Sequence, residues 1–309
     1  MDAPLFPTRH RGLARQLQRL SAALDSDSTI LVLGAPGTGK DRLARLVHER
    51  SRPGRPFVRV DLAAVADDLF ESELFGHEKG AFTGAFAAKP GLLEGAAEGT
   101  IYLDRIDTLS PRAQGKLLRV LEERQLRRVG GTRALSVRAR LVVSAGPDLP
   151  RRVRAGEFRD DLFYRLAVVT VALPTLAERR GDLVAGARAT AREAGCAGGL
   201  TPAAGRVVLA HPWRGNWREL ENAIRRAVIE AAAEKASDLE ARHVRLATAA
   251  EPETILAAAA RSGWTLRRLT DAYAALVLEE SGGNVSEAAR RLGVARKTLY
   301  ERTSPKKRP

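Results

Sequence analysis

The sequence predicts an α/β protein in which helices cover both faces of a five-stranded parallel sheet. Short, nearly continuous apolar runs alternate with helix-length segments, and such runs are typical of strands buried on both faces of a parallel sheet. The runs are Ile30–Leu33, Phe57–Asp61, Thr100–Asp104, Arg140–Ser144 and Val168–Leu173. From Glu178 to about Leu246 the pattern is helical and carries no strand signal. The prediction is a three-layer domain followed by a helical region.

Composition limits the partners and the compartment. The 309 residues allow two domains and a small third one. The net charge of +14 favours a polyanionic partner, either nucleic acid or nucleotide phosphate. The single cysteine, Cys196, excludes an internal disulfide and fits a reducing cytosol, and the five histidines lack metal-ligand spacing. With no signal pattern and no apolar run long enough for a bilayer, we expect a cytoplasmic protein without a membrane partner.

A glycine-rich loop follows the first predicted strand directly and precedes a helical segment, Leu43–His48. In this context backbone N–H groups and the helix dipole bind phosphates, and a lysine reaches the β- and γ-phosphate oxygens. A glycine-rich turn without function is the alternative. The sequence therefore predicts an ATP site formed by Gly34, Ala35, Pro36, Gly37, Thr38, Gly39, Lys40 and Asp41.

Two carboxylates are predicted to hold Mg²⁺ at this site. The third strand ends in Asp104, at the place of the Walker B carboxylate, where it would hold the metal opposite Lys40. Asp41 stands where a serine or threonine is usual, and its carboxylate could serve Mg²⁺ directly or through water. The predicted cofactors are ATP and Mg²⁺.

A distinctive stretch, FGHEKGAFTGA, occupies residues 75–85. Gly80 and Gly84 permit backbone angles closed to other residues, so they can flank a projecting loop that carries Phe82 and Thr83. The alternative is a surface turn whose Phe82 folds back into the core, because exposed aromatic residues usually require a partner. The stretch resembles the signature of the AAA+ activators of sigma-54 RNA polymerase, the bacterial enhancer-binding proteins. The resemblance implies contact with the sigma factor through Gly80, Ala81, Phe82, Thr83, Gly84 and Ala85.

The same resemblance assigns three arginines. Arg159 and Arg165 match positions that face the nucleotide of the neighbouring subunit, which implies arginine fingers and a homo-oligomeric ring, expected to be hexameric. Arg218 lies in a stretch similar to the sensor II segment of the helical lid, near the γ-phosphate. Asn216 and Glu219 are expected to cap the helix that carries it. With Asp104, these arginines are the predicted catalytic residues. For the arginines, the alternative is that each lies on an ordinary solvated helix face.

The C-terminal region predicts a DNA-binding helix-turn-helix. Helices are expected over Leu266–Glu280, Val285–Leu292 and Ala295–Arg302, with Gly293 at the turn. The run GGNVSEAARRLGVARKTLY resembles the Fis-type tail of the same activators, which bind upstream DNA as dimers; a helical hairpin for dimerisation is the alternative. The predicted DNA contacts are Arg296, Lys297, Thr298, Tyr300 and Arg302.

These motifs divide the chain into an AAA+ nucleotide-binding subdomain with the GAFTGA loop (8–178), a helical lid (179–248), a linker (249–263) and a helix-turn-helix domain (264–309). The resemblance extends from about Thr8 to Tyr300 and leaves no room for an N-terminal sensory domain. We therefore expect control by a regulator protein acting in trans or by expression level.

Three departures from the family pattern concern hydrolysis. Arg105 stands where the family has the glutamate that activates water, and Asp61 replaces the asparagine that engages that glutamate. Ala145–Gly146 replaces the Thr-Asn sensor. Because arginine stays protonated, Arg105 cannot be a general base, and its pairing with Asp61 would keep the fold without catalysis. Glu98 and Asp107 are the remaining candidate bases.

Two functions stay open at this level. In the first, the protein is an ATP-driven remodeller that acts on the sigma-54 RNA polymerase holoenzyme through the GAFTGA loop. In the second, it is a DNA-bound regulator that uses ATP only as a ligand, in mixed rings or as a brake on active relatives. The intact loop and the three arginines favour the first, while Arg105 and the missing sensor favour the second.

Overall fold

The computed structural model describes residues 8–246, 265–281 and 284–303. It divides into two compact units, one up to residue 245 and one from residue 246 onward. In the first unit the strands are β1 (Ile30–Gly34), β2 (Phe57–Asp61), β3 (Gly76–His77), β4 (Lys89–Pro90), β5 (Thr100–Asp104), β6 (Gln125–Arg127), β7 (Ala134–Ser136), β8 (Arg140–Ala145), β9 (Val169–Leu173), β10 (Gly199–Leu200) and β11 (Asp238–Leu239).

The first unit also contains α-helices and 3-10 turns. The helices are α1 (Arg11–Ala22), α2 (Lys40–Ser51), α3 (Phe70–Phe75), α4 (Leu92–Gly95), α5 (Pro111–Glu123), α6 (Leu149–Arg154), α7 (Asp160–Leu166), α8 (Arg180–Glu193), α9 (Pro202–Ala210) and α10 (Asn216–Ala233), with 3-10 turns at Leu62–Ala64 and Ile106–Thr108.

The five predicted strands are confirmed as one parallel sheet, in the order β2-β5-β8-β1-β9. Strands β1, β5 and β8 are buried along their whole length, as expected for the inner strands of a covered sheet. The register pairs Asp61 with Asp104 at the carboxyl ends of β2 and β5. Because parallel strands end at the same edge, the loops that follow β1, β2 and β5 meet there.

Helix α1 packs Leu13, Leu17 and Leu20 on one side of the sheet, while α5 and α7 belong to the cluster on the other side. The last carbonyls of α1 and its C-terminal turn are satisfied by an arginine from the sheet. Arg140, almost fully buried, donates from Nη1 to the Leu24 carbonyl at 2.5 Å and from Nη2 to the Ala23 carbonyl at 3.0 Å. This explains a charged residue at the start of an otherwise apolar strand, because helix ends leave carbonyls without backbone partners.

The helical region contains a small sheet that the sequence does not predict. Strands β10 and β11 pair in parallel and join the segment after α8 to the segment after α10. The connection continues as the Thr201 amide donates to the Leu239 carbonyl at 3.0 Å. Each strand has two residues, too few for an alternating pattern to register in the sequence. The prediction of a purely helical region is wrong at this point.

The second unit contains three helices over Leu266–Glu280, Val285–Leu292 and Arg296–Thr303. Asn284 caps the second helix by accepting from the Ser286 and Glu287 amides, and Gly293 ends it in the left-handed conformation with φ of 64°. Ala274, Val277, Ala288, Ala289 and Leu299 form a buried cluster among the three helices. The predicted linker, 249–263, lies outside the described residues.

Candidate functional site

The predicted phosphate-binding loop joins β1 to α2 at the carboxyl edge of the sheet. Gly37 and Gly39 have φ angles of 75° and 101°, which glycine tolerates and most other residues do not. Lys40 begins α2 and turns its ammonium group back into the loop, where Nζ donates to the Gly34 carbonyl at 2.7 Å and the Ala35 carbonyl at 3.2 Å. Burial lowers the pKa of Lys40, against the opposing effect of Asp104. The ammonium thus lies where phosphate oxygens would approach.

Three donors from the helical region fix successive carbonyls of this loop. Asn216 Nδ2 donates to the Pro36 carbonyl at 3.0 Å and the Trp217 amide to the Gly37 carbonyl at 2.9 Å. Arg179 Nη2 donates to the Thr38 carbonyl at 2.7 Å. The helical region is therefore closed onto the loop, and a Cβ at Gly37 would lie 2.3 Å from the Gly215 carbonyl oxygen.

Asn216 has a different role from the predicted one. It is the first residue of α10, with φ of 55°, and Gly215 occupies the cap position without a side chain to contribute. The Asn216 side chain instead accepts from the Leu176 amide at 2.9 Å while it donates to Pro36. The capping prediction for Asn216 is wrong, because its left-handed backbone directs the side chain to the phosphate-binding loop. Glu219 does return to the helix start, accepting from the Gly215 amide at 2.8 Å.

Arg218, predicted as the sensor II arginine, follows Trp217 at the start of α10. Its Cβ lies 3.5 Å from the point that a Cβ on Gly37 would occupy. Its charge acts to lower the pKa of Lys40. The structure therefore brings Arg218 beside the phosphate-binding loop.

Asp104 is a largely buried carboxylate with a full set of donors. Its Oδ1 accepts from the Ser144 hydroxyl and from the Tyr102 hydroxyl at 3.1 Å, and its Oδ2 accepts from Arg59 Nη2 at 3.0 Å. Burial opposes its ionisation, but these hydrogen bonds outweigh burial and hold the pKa of Asp104 below its usual value. Asp104 is therefore ionised at neutral pH.

Sequence reasoning missed Arg59. Its guanidinium lies between the two predicted metal ligands, with Nη2 at 3.0 Å from Asp104 Oδ2 and 3.4 Å from Asp41 Oδ2. Mg²⁺ requires an octahedron of oxygen ligands at about 2.0–2.1 Å. With a guanidinium already on both carboxylates, these residues do not fit the metal as they stand. Asp41 Oδ1 is buried and has no hydrogen-bond partner.

The predicted pair of Arg105 and Asp61 is present. Arg105 Nε donates to Asp61 Oδ1 at 2.9 Å, and Nη2 contacts both carboxylate oxygens. The hydrogen bond to Asp61 raises the pKa of Arg105 further, so this side chain carries no basic lone pair. Arg105 also has a left-handed backbone, with φ of 61°, directly after β5.

The two alternative bases lie in different places. Glu98 precedes β5, at the amino edge of the sheet, and pairs with Arg55 and Arg138 at 3.3 Å each. Because β5 separates it from the site by about 3.3 Å per residue, Glu98 cannot reach a nucleotide at the carboxyl edge. The hypothesis of Glu98 as a base is therefore wrong. Asp107 lies at the correct edge, where its Oδ2 accepts from the Gly146 amide at 3.4 Å and faces Arg152 Nη1 at 3.7 Å.

The predicted arginine fingers lie at the two ends of α7, Arg159 directly before its first residue and Arg165 in its last turn. Arg159 is half exposed and forms a two-point pair with Asp161, at 3.0 Å from Nε and 2.7 Å from Nη2. Arg165 Nη2 donates to the Leu121 carbonyl of α5 at 3.0 Å. Both arginines are thus held by contacts within the chain.

The GAFTGA segment forms a loop closed at its base by the pairing of β3 with β4. Gly80 and Gly84 have φ angles of 81° and 102°, and the Gly80 amide donates to the Ala85 carbonyl at 2.8 Å. Phe82 is 43% exposed, with its ring 5.0 Å from that of His77, and Thr83 is exposed. The alternative in which Phe82 folds into the core is wrong. Phe86, which sequence reasoning did not select, is 87% exposed beside it.

The predicted DNA contacts lie on the last helix of the tail, which is packed into the tail cluster through Leu299. Leu299 is fully buried in the tail cluster, while Arg296, Lys297 and Tyr300 are exposed and Thr298 is half-buried. Arg302 lies in the same helix, but its side chain is outside the described residues. The observed helix begins at Arg296, one residue after the predicted start.

Comparison with protein families agrees with this arrangement. The model described as "Sigma-54 interaction domain" matches residues 7–172, and those described as "AAA+ ATPase lid domain" and "Bacterial regulatory protein, Fis family" match residues 183–255 and 275–303. The chain belongs to the sigma-54 activator family. The predicted family, AAA+ fold and Fis-type tail are confirmed.

Known relatives of this sigma-54 family chain include regulators of transcription. The transcriptional regulatory protein ZraR of Klebsiella oxytoca is 42% identical over 297 residues, covering 93% of this chain and 66% of ZraR. The Nif-specific regulatory protein of Azotobacter vinelandii is 46% identical over 208 residues, covering 66% of this chain and 40% of that protein. The structure of NtrX from Brucella abortus in complex with ATP has a TM-score of 0.67 and 30% identity, covering 96% of this chain and 68% of NtrX. This chain thus spans just under two thirds of ZraR.

None of the helices within residues 8–246, 265–281 and 284–303 is long and apolar enough to cross a membrane.

Proposed function

We propose that this protein is a sigma-54-dependent transcription regulator that binds ATP at the Gly34–Asp41 loop, binds upstream DNA through its tail and contacts sigma-54 RNA polymerase through the GAFTGA loop. The observation that carries the proposal is the exposed Phe82–Thr83 tip between two left-handed glycines. Phe82 and Phe86, four residues further on, together expose apolar side chains of the kind that mark a protein interaction surface. Because its proposed partners, DNA and RNA polymerase, lie in the cytoplasm, the protein would act there.

Within this role, the site supports ATP as a bound ligand better than ATP as a rapidly hydrolysed fuel. The Arg105–Asp61 pair occupies the place where the family has a water-activating carboxylate. Loss of a general base typically lowers the rate by about 10²–10⁴. Asp107 is the remaining candidate base at this edge, and it faces Arg152 and the Gly146 amide. The residues do not fit Mg²⁺ as they stand, because Arg59 pairs with both carboxylates that would bind it.

The second candidate is an ATP-driven remodeller. It is favoured by the intact phosphate-binding loop, by Arg218 beside Gly37 and by Arg159 and Arg165 on α7. In this reading the two α7 arginines would complete the nucleotide site of a neighbouring copy in a homo-oligomeric ring, expected to be hexameric. Arg159 would then leave Asp161, and Arg165 would leave the Leu121 carbonyl, and both would contact phosphate oxygens instead.

Replacing Lys40 tests the nucleotide site. We expect Lys40→Ala to weaken ATP binding on the order of 100-fold, because hydrogen bonds to charged groups contribute about 1.5–3 kcal/mol each. Isothermal titration calorimetry measures the affinity. The matched control is Lys116→Ala, which removes a surface lysine on α5 that pairs with Glu71. Equal affinities for wild type and Lys40→Ala would refute the site.

Replacing Arg296 or Lys297 tests the tail. If each contacts phosphate, each alanine variant should flatten the slope of log K against log[salt] by about one unit on DNA selected by the wild type from a random pool. Arg290→Ala is the control, because Glu287 already holds that exposed arginine at 2.7 Å. Removal of residues after 263 should abolish specific DNA binding and leave ATP binding intact. Unchanged protection of DNA by the shortened chain would contradict the helix-turn-helix assignment.

A further inference from the structure

Arg59 lies in the middle of β2, where a charged residue interrupts an apolar strand. Its side chain brings a permanent positive charge to the two carboxylates beside the phosphate-binding loop. Its Nη2 lies 3.0 Å from Asp104 and 3.4 Å from Asp41, and the side chain is 43% exposed. Both carboxylates come from separate elements, the end of β5 and the start of α2. One guanidinium therefore bridges the carboxylate that ends β5 and the carboxylate that follows the phosphate-binding loop.

The coordination of Asp104 leaves little for a metal ion. Its two oxygens accept from three side chains, Ser144 and Tyr102 on Oδ1 and Arg59 on Oδ2. A divalent ion at Asp104 would either displace Arg59, which breaks the ion pair at 3.0 Å, or lie beside the guanidinium. The second arrangement is unfavourable because two positive charges repel each other at such short range. Asp41 Oδ1 has no hydrogen-bond partner but is buried, so it offers at most one ligand, and the rest of an octahedron would have to come from water and phosphate.

Side chains of this chain supply positive charge at the place where a metal ion would otherwise supply it. Asp41 and Asp104 alone would repel a polyphosphate, and in many nucleotide sites Mg²⁺ offsets that repulsion. Here Arg59 offsets one of the two negative charges from within the chain. Lys40 supplies a second positive charge, because Asp104 and Asp41 are close enough to act to raise the pKa of its ammonium group. Arginine is also the cation best suited to pair with carboxylate and phosphate oxygens together.

We propose that Arg59 is the resident cation of this site and that the protein binds ATP and ADP without a divalent metal ion. The proposal rests on the nucleotide function proposed above. It assigns to β2 a binding residue that takes the electrostatic place of Mg²⁺ between Asp41 and Asp104.

The test compares ATP affinity in Mg²⁺ and in EDTA for the full chain. For the wild type we expect the two dissociation constants to agree within about threefold, because the cation belongs to the protein. Arg59→Ala should bind ATP on the order of tenfold or more weakly in EDTA, since two carboxylates then face the phosphates without a counter-charge. Mg²⁺ should restore its affinity. Arg59→Gln, which keeps hydrogen-bonding groups but not the charge, should behave in the same way and guards against a folding defect in the alanine variant.

The control is Arg55→Ala, an arginine just before the same strand that pairs with Glu98 at 3.3 Å, away from the site. It should match the wild type in both buffers. A second readout uses Mn²⁺ and electron paramagnetic resonance: protein with ADP should retain no more Mn²⁺ than ADP alone, whereas Arg59→Ala with ADP should retain more.

The outcomes separate this proposal from the nucleotide function. Wild-type binding that requires Mg²⁺, or Mn²⁺ held by the wild-type complex with Arg59 present, would overturn the role of Arg59 and leave the ATP site standing. Absence of ATP binding by the wild type in both buffers would overturn the site and the proposal together. Metal-independent binding by Arg59→Ala would show that the guanidinium is not the counter-charge.

Discussion

The double variant Asp61→Asn with Arg105→Glu should hydrolyse ATP faster than the wild type, by a factor on the order of 10²–10⁴. The change replaces an arginine that cannot accept a proton by a carboxylate directly after β5. Asp61 and Asp104 are partners in register at the carboxyl edge, so the new group would stand beside the phosphate-binding loop. Phosphate release under saturating ATP measures the turnover.

Neither single change should suffice. Arg105→Glu alone places two carboxylates where Arg105 and Asp61 now form an ion pair, and like charges at that distance raise the pKa of one group and oppose the ionised site. Asp61→Asn alone leaves no base. The gain of the double variant should therefore exceed the product of the single gains, as expected for residues in contact. Asparagine at position 61 can keep the acceptor that now binds the Ala63 amide at 3.2 Å, so the local turn is preserved.

Two further variants make the result decisive. Lys40→Ala in the double variant should abolish turnover and thereby exclude a contaminating ATPase. Arg59→Ala in the double variant, assayed with Mg²⁺, reports separately on whether the resident arginine limits metal-assisted hydrolysis. If the wild type already turns over rapidly and Arg105→Ala makes no difference, the base lies elsewhere, Asp107 becomes the suspect and the ligand-only function is refuted. A polar residue at Gly146 would require the Asp148 side chain to move, because a Cβ there would lie 2.6 Å from Asp148 Oδ1.

Removal of the loop tip should abolish retention of sigma-54. Phe82→Ala or Thr83→Ala removes the exposed groups at the tip, while the hydrogen bond from the Gly80 amide to the Ala85 carbonyl uses only backbone atoms and should survive. ATP and DNA binding should therefore stay unchanged. A pull-down of purified sigma-54 in the presence of an ATP transition-state mimic measures the contact.

The structure adds a second apolar group to this test. Phe86 is 87% exposed beside the tip, so Phe86→Ala should also weaken retention if the contact extends along the loop. The matched control is Ile229→Ala, which removes a similarly exposed apolar side chain from α10. Equal retention of sigma-54 by the wild type and by both tip variants would mean that the loop is not the contact surface.

The sequence by itself determined the sheet, the phosphate-binding loop and the tail. Apolar runs fix β1, β5 and β8 because strands covered on both faces exclude water along their whole length. The sequence also predicts turns at Gly37, Gly39 and Gly293. Each of these residues has a left-handed backbone conformation, which residues with a side chain disfavour. The pairing of Arg105 with Asp61 was also predictable, because two departures from one pattern had complementary charges.

Only the tertiary structure decided the identity of the cation at the site and the position of the alternative base. Arg59 lies within an apolar run in the sequence. The residues around it give no sign that its guanidinium pairs with Asp41 at the start of α2 and with Asp104 at the end of β5. Glu98 is close to Asp104 in sequence, yet β5 carries it to the opposite edge of the sheet. Asn216 has the residue type and spacing of a cap, but its backbone angle directs it to Pro36. These outcomes depend on distances between segments that are far apart in the sequence, on the direction of a strand or on a backbone angle set by tertiary contacts. The local sequence pattern contains no information on any of them.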